Sequence, residues 1–236
     1  MRLIQWNCQG AFRTKYQNVL SWRPDILVVA ECENKEKLKF GQILPEPKDF
    51  YWYGDSNHKG IGVFSYSDYK FELMNTFNPE YRYILPFKVT GHDTTFTLFA
   101  IWAMNNKENR DARYIGQIWL AINYYSTLLD DKTVLIGDFN SNKIWDYKDR
   151  VGNHSDVVDL LNQKKIISLY HDQNKVEQGK EKEPTLYMYR NKEKPYHIDY
   201  CFASDNLLKN GYSFQVGAYE NWIEYSDHTP IIVDIK

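Results

Sequence analysis

Apolar residues follow two rhythms along this chain. Short unbroken runs occupy residues 2–6 (RLIQW), 25–30 (DILVVA) and 133–137 (TVLIG), and each gives way abruptly to polar residues. Such runs read as buried strands, because a strand covered on both faces has no polar side to show. Residues 50–53 and 60–66 read as further strands. Residues 81–90 and 94–103 read as a pair joined by a turn around Gly91-His92-Asp93. Residues 185–189, 197–203, 212–216 and 229–235 complete the strands. The second rhythm is helical. It marks residues 14–21, ended before Pro24. It also marks residues 109–129, where Tyr114, Ile118, Ala121, Ile122 and Tyr125 recur at three- and four-residue spacing. Residues 155–162 read as a helix with Ser155 as N-cap. The charged stretch 174–183 (NKVEQGKEKE) reads as a mobile loop.

Several strands follow each other with no helix between them. That argues against a simple parallel doubly wound sheet and for two packed sheets flanked by helices. No repeat and no Pro- or Ser-rich linker interrupts residues 1–236, so one domain is expected. Composition adds limits. A chain of 236 residues, 43% hydrophobic and 25% charged, is long enough for a self-supporting core. The net charge of -2 gives no global attraction to nucleic acid or to an anionic membrane. Cys8, Cys32 and Cys201 are odd in number and form no CxxC pair, so reduced thiols and a cytoplasmic location are expected. The N-terminus reads as a strand rather than a signal segment. No apolar run approaches the ~18 residues of a membrane span. A monomer without an obligate protein partner is expected.

The candidate chemistry lies where the strands end. In VLIGDFNSN, residues 134–142, Asp138 and Asn140 are two apart, and such residues share a side of an extended strand. A strand running into a turn explains the pair equally well by itself. The pattern recurs, however. Asn7 and Glu31 each follow an apolar run, Asp199 sits in HIDY, and Asp227 and His228 precede the last strand. Buried acids are costly unless paired or bound to a metal. Four acids, two Asn and one His at strand ends therefore suggest one shared site. A divalent cation would relieve the repulsion among the acids, and oxygen-rich ligation selects Mg²⁺, Mn²⁺ or Ca²⁺ over Zn²⁺. A His held by a carboxylate suits a general base for water.

WNCQG, DILVVAECE, IGDFNSN, HIDYCFAS and SDHTPI, in this order, resemble the endonuclease/exonuclease/phosphatase superfamily, the deoxyribonuclease I-like fold. The resemblance runs from residue 6 to residue 231. It implies an α/β, four-layered sandwich of two packed, largely antiparallel sheets flanked by helices. It also implies a metal-dependent hydrolase of phosphate esters. Glu31 would be the main metal ligand with Asn7 beside it, and Asp227 a ligand or supporting carboxylate. Asp138 and Asn140 would contact the scissile phosphate or the attacking water. His228 would be the general base or a phosphate contact, oriented by Asp199.

One departure stands out. Many relatives place a Tyr or His, then Pro and Asn, after the long middle strand. This chain reads AIWAMNN, with Trp102 at the first position and Asn105 matching the Asn. An indole offers only an N–H and exchanges no proton near neutrality. His154 is a candidate replacement, against the plainer reading of a helix-start residue. Trp145, close after Asp138, is the aromatic placed best to meet a substrate. A nuclease acting on DNA or RNA is the expected function. A phosphoesterase for a small or lipid-linked substrate and a catalytically silent binding module are the alternatives.

Overall fold

The computed structural model describes residues 1–236. Fourteen strands run in chain order as β1 (Arg2–Asn7), β2 (Ile26–Cys32), β3 (Asp49–Ser56), β4 (Lys59–Ser65), β5 (Lys70–Leu73), β6 (Ile84–Gly91), β7 (Thr94–Trp102), β8 (Thr133–Asp138), β9 (Ile166–Ser168), β10 (Leu186–Tyr187), β11 (Pro195–Tyr196), β12 (Asp199–Ser204), β13 (Tyr212–Val216) and β14 (Ile231–Ile235). The α-helices are α1 (Tyr16–Leu20), α2 (Lys35–Leu38), α3 (Ile115–Tyr124), α4 (His154–Gln163), α5 (Leu169–Asn174) and α6 (Tyr219–Trp222).

The strands form two six-stranded sheets, ordered β13-β14-β1-β2-β4-β3 and β5-β6-β7-β8-β12-β9. Each sheet holds one parallel pair, β1 with β2 and β7 with β8, and every other pairing is antiparallel. The sheets face each other across an apolar core. Leu3, Val28 and Val233 of the first sheet meet Leu98, Val134, Ile136 and Ala203 of the second. Each such side chain, once buried, contributes about 2 kcal/mol. The alternate residues face outward under helices. Ile4, Trp6 and Val29 pack with Phe12, Val19 and Trp222 on one side. Phe99, Leu135 and Phe202 pack under α3 and α4 on the other. The result is four layers, as the resemblance implied.

Several boundaries differ from the sequence reading. The helix expected over 109–129 is only α3, Ile115–Tyr124. Asn106 and Asn109 side chains accept amides of Glu108, Asn109 and Asp111, so local turns win over helix in the preceding stretch. The cap of α4 is Asn153 rather than Ser155, in a reciprocal pair with Asp156. The strand at DILVVA does not stop at Glu31. It continues to Cys32 through a bulge, with Glu31 at φ 60°. The stretch 174–183 is not a mobile loop: the Tyr170 hydroxyl accepts the amides of Lys182 and Glu183, and Glu181 is buried against His171.

Candidate active site

The site is the polar end of the inter-sheet core. Along β1 the inward residues are Leu3, then Gln5 and Asn7. Along β8 they are Val134, Ile136 and Asp138, and along β12 they are Ala203, Cys201 and Asp199. The two parallel pairs point the same way, so the ends of β1 and β8 meet. The Asn7 amide donates to Asp138 Oδ2 at 2.9 Å. Gly137 lets β8 lie close against β7 just before Asp138. It sits opposite Ile101 of β7, and a Cβ there would lie 1.9 Å from the Ile101 carbonyl oxygen.

Asp138 and Asp199 are direct partners across the β8–β12 ladder, and both are fully buried. Like charges facing each other across a sheet are destabilising unless compensated. Some compensation is built in. Asp138 accepts the Asn140 backbone N–H at 2.9 Å and the Asn140 amide at 3.0 Å, besides Asn7. Asp199 accepts the Gln5 amide on Oδ1 at 2.9 Å, and His228 Nδ1 lies 2.9 Å from Oδ2. The Asp199 partner fixes the proton on Nδ1, so Nε2, which has no hydrogen bond here, is left for a ligand. Burial, and then the neighbouring Asp199, lift the Asp138 carboxyl to about 7. Burial opposes the charged form of His228, but Asp199 and Asp138 outweigh it and raise the imidazole to about 10. His228 is therefore an imidazolium at neutral pH in the metal-free protein.

Glu31 lies at the edge of this cluster. Its Oε1 is 3.5 Å from the Asn7 amide, and its Oε2 forms an ion pair with Lys59 Nζ at 2.9 Å. The bulge and the left-handed backbone at Glu31 break the alternation of β2 just there, so that Cys32 faces the outer layer. Lys59 Nζ also stands 5.6 Å from the centre of the Trp102 ring.

Ligand atoms of Asp138, Asp199 and His228 all lie within 4.8 Å of one another. Two features fit a divalent cation at this end of the core. Asp138 faces Asp199, whose counter-ion is His228, and has no cation of its own, and the buried Gln5 Oε1 beside them has no partner. The donors are hard oxygens, which suits Mg²⁺ or Mn²⁺.

The other residues singled out from sequence divide. Asp227 is outside the triad. Its carboxylate makes no hydrogen bond, although it stands near enough to favour the charged form of His228. Trp102 ends β7 beside Asp138 but is 3% exposed and stacks on Tyr83, so it offers little surface to a substrate. Asn105 is exposed and lines a separate depression with Tyr81, Arg82 and Gln117. His154 is not near the cluster. It is buried, with Nδ1 against Ser141 Oγ at 3.2 Å and Nε2 against Gln178 at 3.1 Å, and burial lowers its pKa. Trp145 does adjoin the site, across a cavity of about 310 Å³ that Asn140 also lines.

The sequence patterns singled out neither Gln5 nor Lys59. Gln5 was detectable, since it sits two residues before Asn7 on the inward face of an apolar strand. Lys59 gave no such signal, because its partner Glu31 is distant in sequence.

Comparisons with known proteins bear on the fold and the family. No curated protein matches the sequence. Among solved structures, an AP endonuclease from Archaeoglobus fulgidus is similar at 16% identity and TM-score 0.68, covering 100% of this chain and 99% of that one. A 3′ phosphatase, NExo, from Neisseria, solved bound to a product DNA hairpin, is similar at 20% identity and TM-score 0.67, with coverage of 100% and 99%. A truncated TDP2 from Caenorhabditis elegans is similar at 13% identity and TM-score 0.68, with coverage of 98% and 96%. At these identities the likeness is one of fold. The family model described as Endonuclease/Exonuclease/phosphatase family matches residues 4–228. With nearly the whole chain inside that match, this protein belongs to the endonuclease/exonuclease/phosphatase family.

Proposed function

We propose that this chain is a divalent-metal-dependent phosphodiester hydrolase and that its substrate is a nucleic acid. The observation that carries the reading is the facing pair of buried carboxylates, Asp138 and Asp199, capped by His228. That arrangement costs stability in a protein with no use for it. Family membership supports phosphoester hydrolysis, and the product DNA hairpin bound in one similar structure and the endonuclease name of another support a nucleic acid.

Glu31, Asn7 and the carboxylates of Asp138 and Asp199 are the groups that would hold Mg²⁺ or Mn²⁺. The ion would neutralise charge on the non-bridging oxygens of the phosphate and acidify the attacking water. Asp199 holds the His228 imidazolium in place, and Nε2–H binds a phosphate oxygen. Asp138, oriented by Asn7 and Asn140, takes the proton of the attacking water while the new O–P bond forms and the bond to the leaving oxygen breaks. Asn140 fixes the carboxylate of Asp138 through both its N–H and its amide. Lys59, beside the Trp102 ring, is the cation nearest the position where relatives carry a Tyr or His. These roles make His228 a phosphate contact rather than the general base.

The test is nicking of supercoiled plasmid in Mg²⁺ and Mn²⁺, run beside a chromogenic phosphodiester, with Glu31→Ala as control. Metal-dependent cutting of both by wild type, and of neither by the variant, supports the reading. Cutting of the chromogen alone favours the second reading, a small diester substrate, which the net charge of -2 also favours. Cutting of neither substrate removes both readings and leaves a binding module.

A further inference from the structure

We propose that the strap over residues 143–151 is a stacking platform for an unpaired nucleic-acid strand, so that the substrate is single-stranded at or next to the scissile phosphate. The proposal rests on the nuclease reading above and narrows it.

Nine large hydrophobic side chains are exposed on the whole protein, and four of them, Ile144, Trp145, Tyr147 and Val151, fall in this one strap. Their exposure is 57%, 39%, 61% and 76%. Solvent-facing apolar side chains scattered singly carry no message, whereas a cluster marks a contact surface. The strap is also held rigid. The Asn153 side chain accepts the Tyr147 N–H and donates to the carbonyls of Tyr147 and Arg150. The Asp146 carboxylate accepts the amides of His154 and Ser155 and the Ser155 hydroxyl. Every polar anchor points inward, and the aromatic residues are left outside.

Two further features identify the occupant. The platform is continuous with the candidate active site, because Trp145, Tyr147 and Arg150 line one cavity with Asn140, Leu186 and Met188. The Trp145 ring leans on Tyr196, with centroids 5.0 Å apart, which fixes it as part of the wall. Basic residues are interleaved with the apolar ones, with Lys143 and Lys148 exposed on the strap and Arg150 in the cavity wall. Aromatic faces with cations between them suit bases on a phosphate backbone. A paired base has no free face to stack, and the net charge of -2 gives no broad basic field for duplex binding. Both points favour an unpaired strand.

The test is fluorescence anisotropy with a short fluorescein-labelled single strand and a hairpin duplex of the same sequence, in EDTA so that neither is cut. Proteins are wild type, the Trp145→Ala/Tyr147→Ala double variant and Trp145→Phe, each with its thermal melt recorded. Wild type is expected to bind the single strand more tightly than the duplex. The double variant is expected to lose about tenfold or more in single-strand affinity. Trp145→Phe keeps a ring and is expected to retain most of it. A duplex preference, or a single-strand preference that survives in the double variant, overturns the proposal. Binding of neither probe overturns it too, and chromogen hydrolysis by the same wild-type sample, once Mg²⁺ is restored in excess of the EDTA, then shows whether the phosphodiesterase reading survives. A double variant whose melt has collapsed shifts the decision to Trp145→Phe and to Tyr147→Ala alone.

Discussion

Two buried polar clusters lie in this protein, and each contains a His–carboxylate pair at 2.9 Å. In the first, His228 faces Asp199. In the second, His171 faces Glu181. Their surroundings differ. Asp199 has a second carboxylate, Asp138, directly across the ladder. Glu181 has none nearby in its cluster. It accepts instead from His171, from the Gly179 amide and from the Asn142 side chain. Burial alone would raise Glu181, but those donors outweigh it and pull the carboxyl down to about 2. The second cluster thus satisfies its carboxylate, though the buried His197 Nε2 within it has no partner, and its bonds hold the 174–183 stretch in place. The first holds a second carboxylate, Asp138, with no ion-pair partner, an unpartnered Gln5 oxygen and a His228 Nε2 with no hydrogen bond. A satisfied network rigidifies, and an unsatisfied one waits for a ligand. The same nine residues, 134–142, feed both clusters: Asp138 and Asn140 serve the first, and Ser141 and Asn142 the second.

The contrast predicts different failures. The largest effect is expected on turnover. His228→Ala and Glu31→Ala should each lower kcat by about a thousandfold or more with the thermal melt little changed. Glu181→Ala should do the reverse. It leaves three donors without an acceptor, so about 3 kcal/mol of stability is lost, while kcat at a temperature below the new melt is kept. Equal loss of kcat in the Glu181 variant would erase the distinction between the clusters.

Metal linkage comes next. Adding Mn²⁺ at about a hundredfold over its Kd should stabilise wild type by about 2.7 kcal/mol in a melt. Asp138→Asn/Asp199→Asn should lose that shift, and His171→Ala should keep it. EDTA should abolish turnover in every variant that retains it.

The pH dependence of the metal-free protein should have opposite signs at the two clusters. Burial pushes His197, in the second cluster, down to about 4, against an unfolded value of about 6.5. Between those values the unfolded chain binds the extra proton. His197 stability is therefore complete above about 6.5 and lost as pH falls towards 4, about 3 kcal/mol in all. His228, at about 10, behaves oppositely. Its contribution is complete below about 6.5 and lost as pH rises towards 10. Asp138, raised to about 7, favours the folded state at low pH and so opposes His197 in the acid range. The measurement is therefore the difference in urea-unfolding free energy between wild type and His197→Gln, and between wild type and His228→Gln. The first difference should vary on the acid side, and the second on the alkaline side, with an added acid-side change because His228 also holds down the Asp138 carboxyl.

The smallest effect belongs to Lys59. The pair with Glu31 is half-exposed, so Lys59→Met should change stability by less than about 1 kcal/mol. Turnover should still fall, by about tenfold, if the ammonium serves the leaving group. An unchanged kcat would reduce Lys59 to a surface counter-ion of Glu31.

What could be read from the chain alone was set by local periodicity. The runs at 2–6, 25–30 and 133–137 announced β1, β2 and β8, because a doubly covered strand is mostly apolar until its end, Gln5 being the exception. The polar residues at those ends were therefore visible as candidates: Asn7, Glu31, Asp138, Asn140, Asp199 and His228. Residue order also carried the family resemblance. Pairing in space was not legible. Nothing in sequence said that Asp138 would stand opposite Asp199, that Gln5 would donate to Asp199, or that Lys59 would hold Glu31. His154 looked like a site residue because it follows Asp138 closely, yet α4 turns its ring into the second cluster. The stretch 174–183 looked solvated because it is charged, yet Glu181 is buried where His171 and Asn142 await it. Period and composition are properties of neighbours along the chain, and they fixed the strands and their polar ends. Burial and electrostatic partnership are properties of neighbours in space, so only the packing of the two sheets decided which acids meet and which of them remain short of a partner.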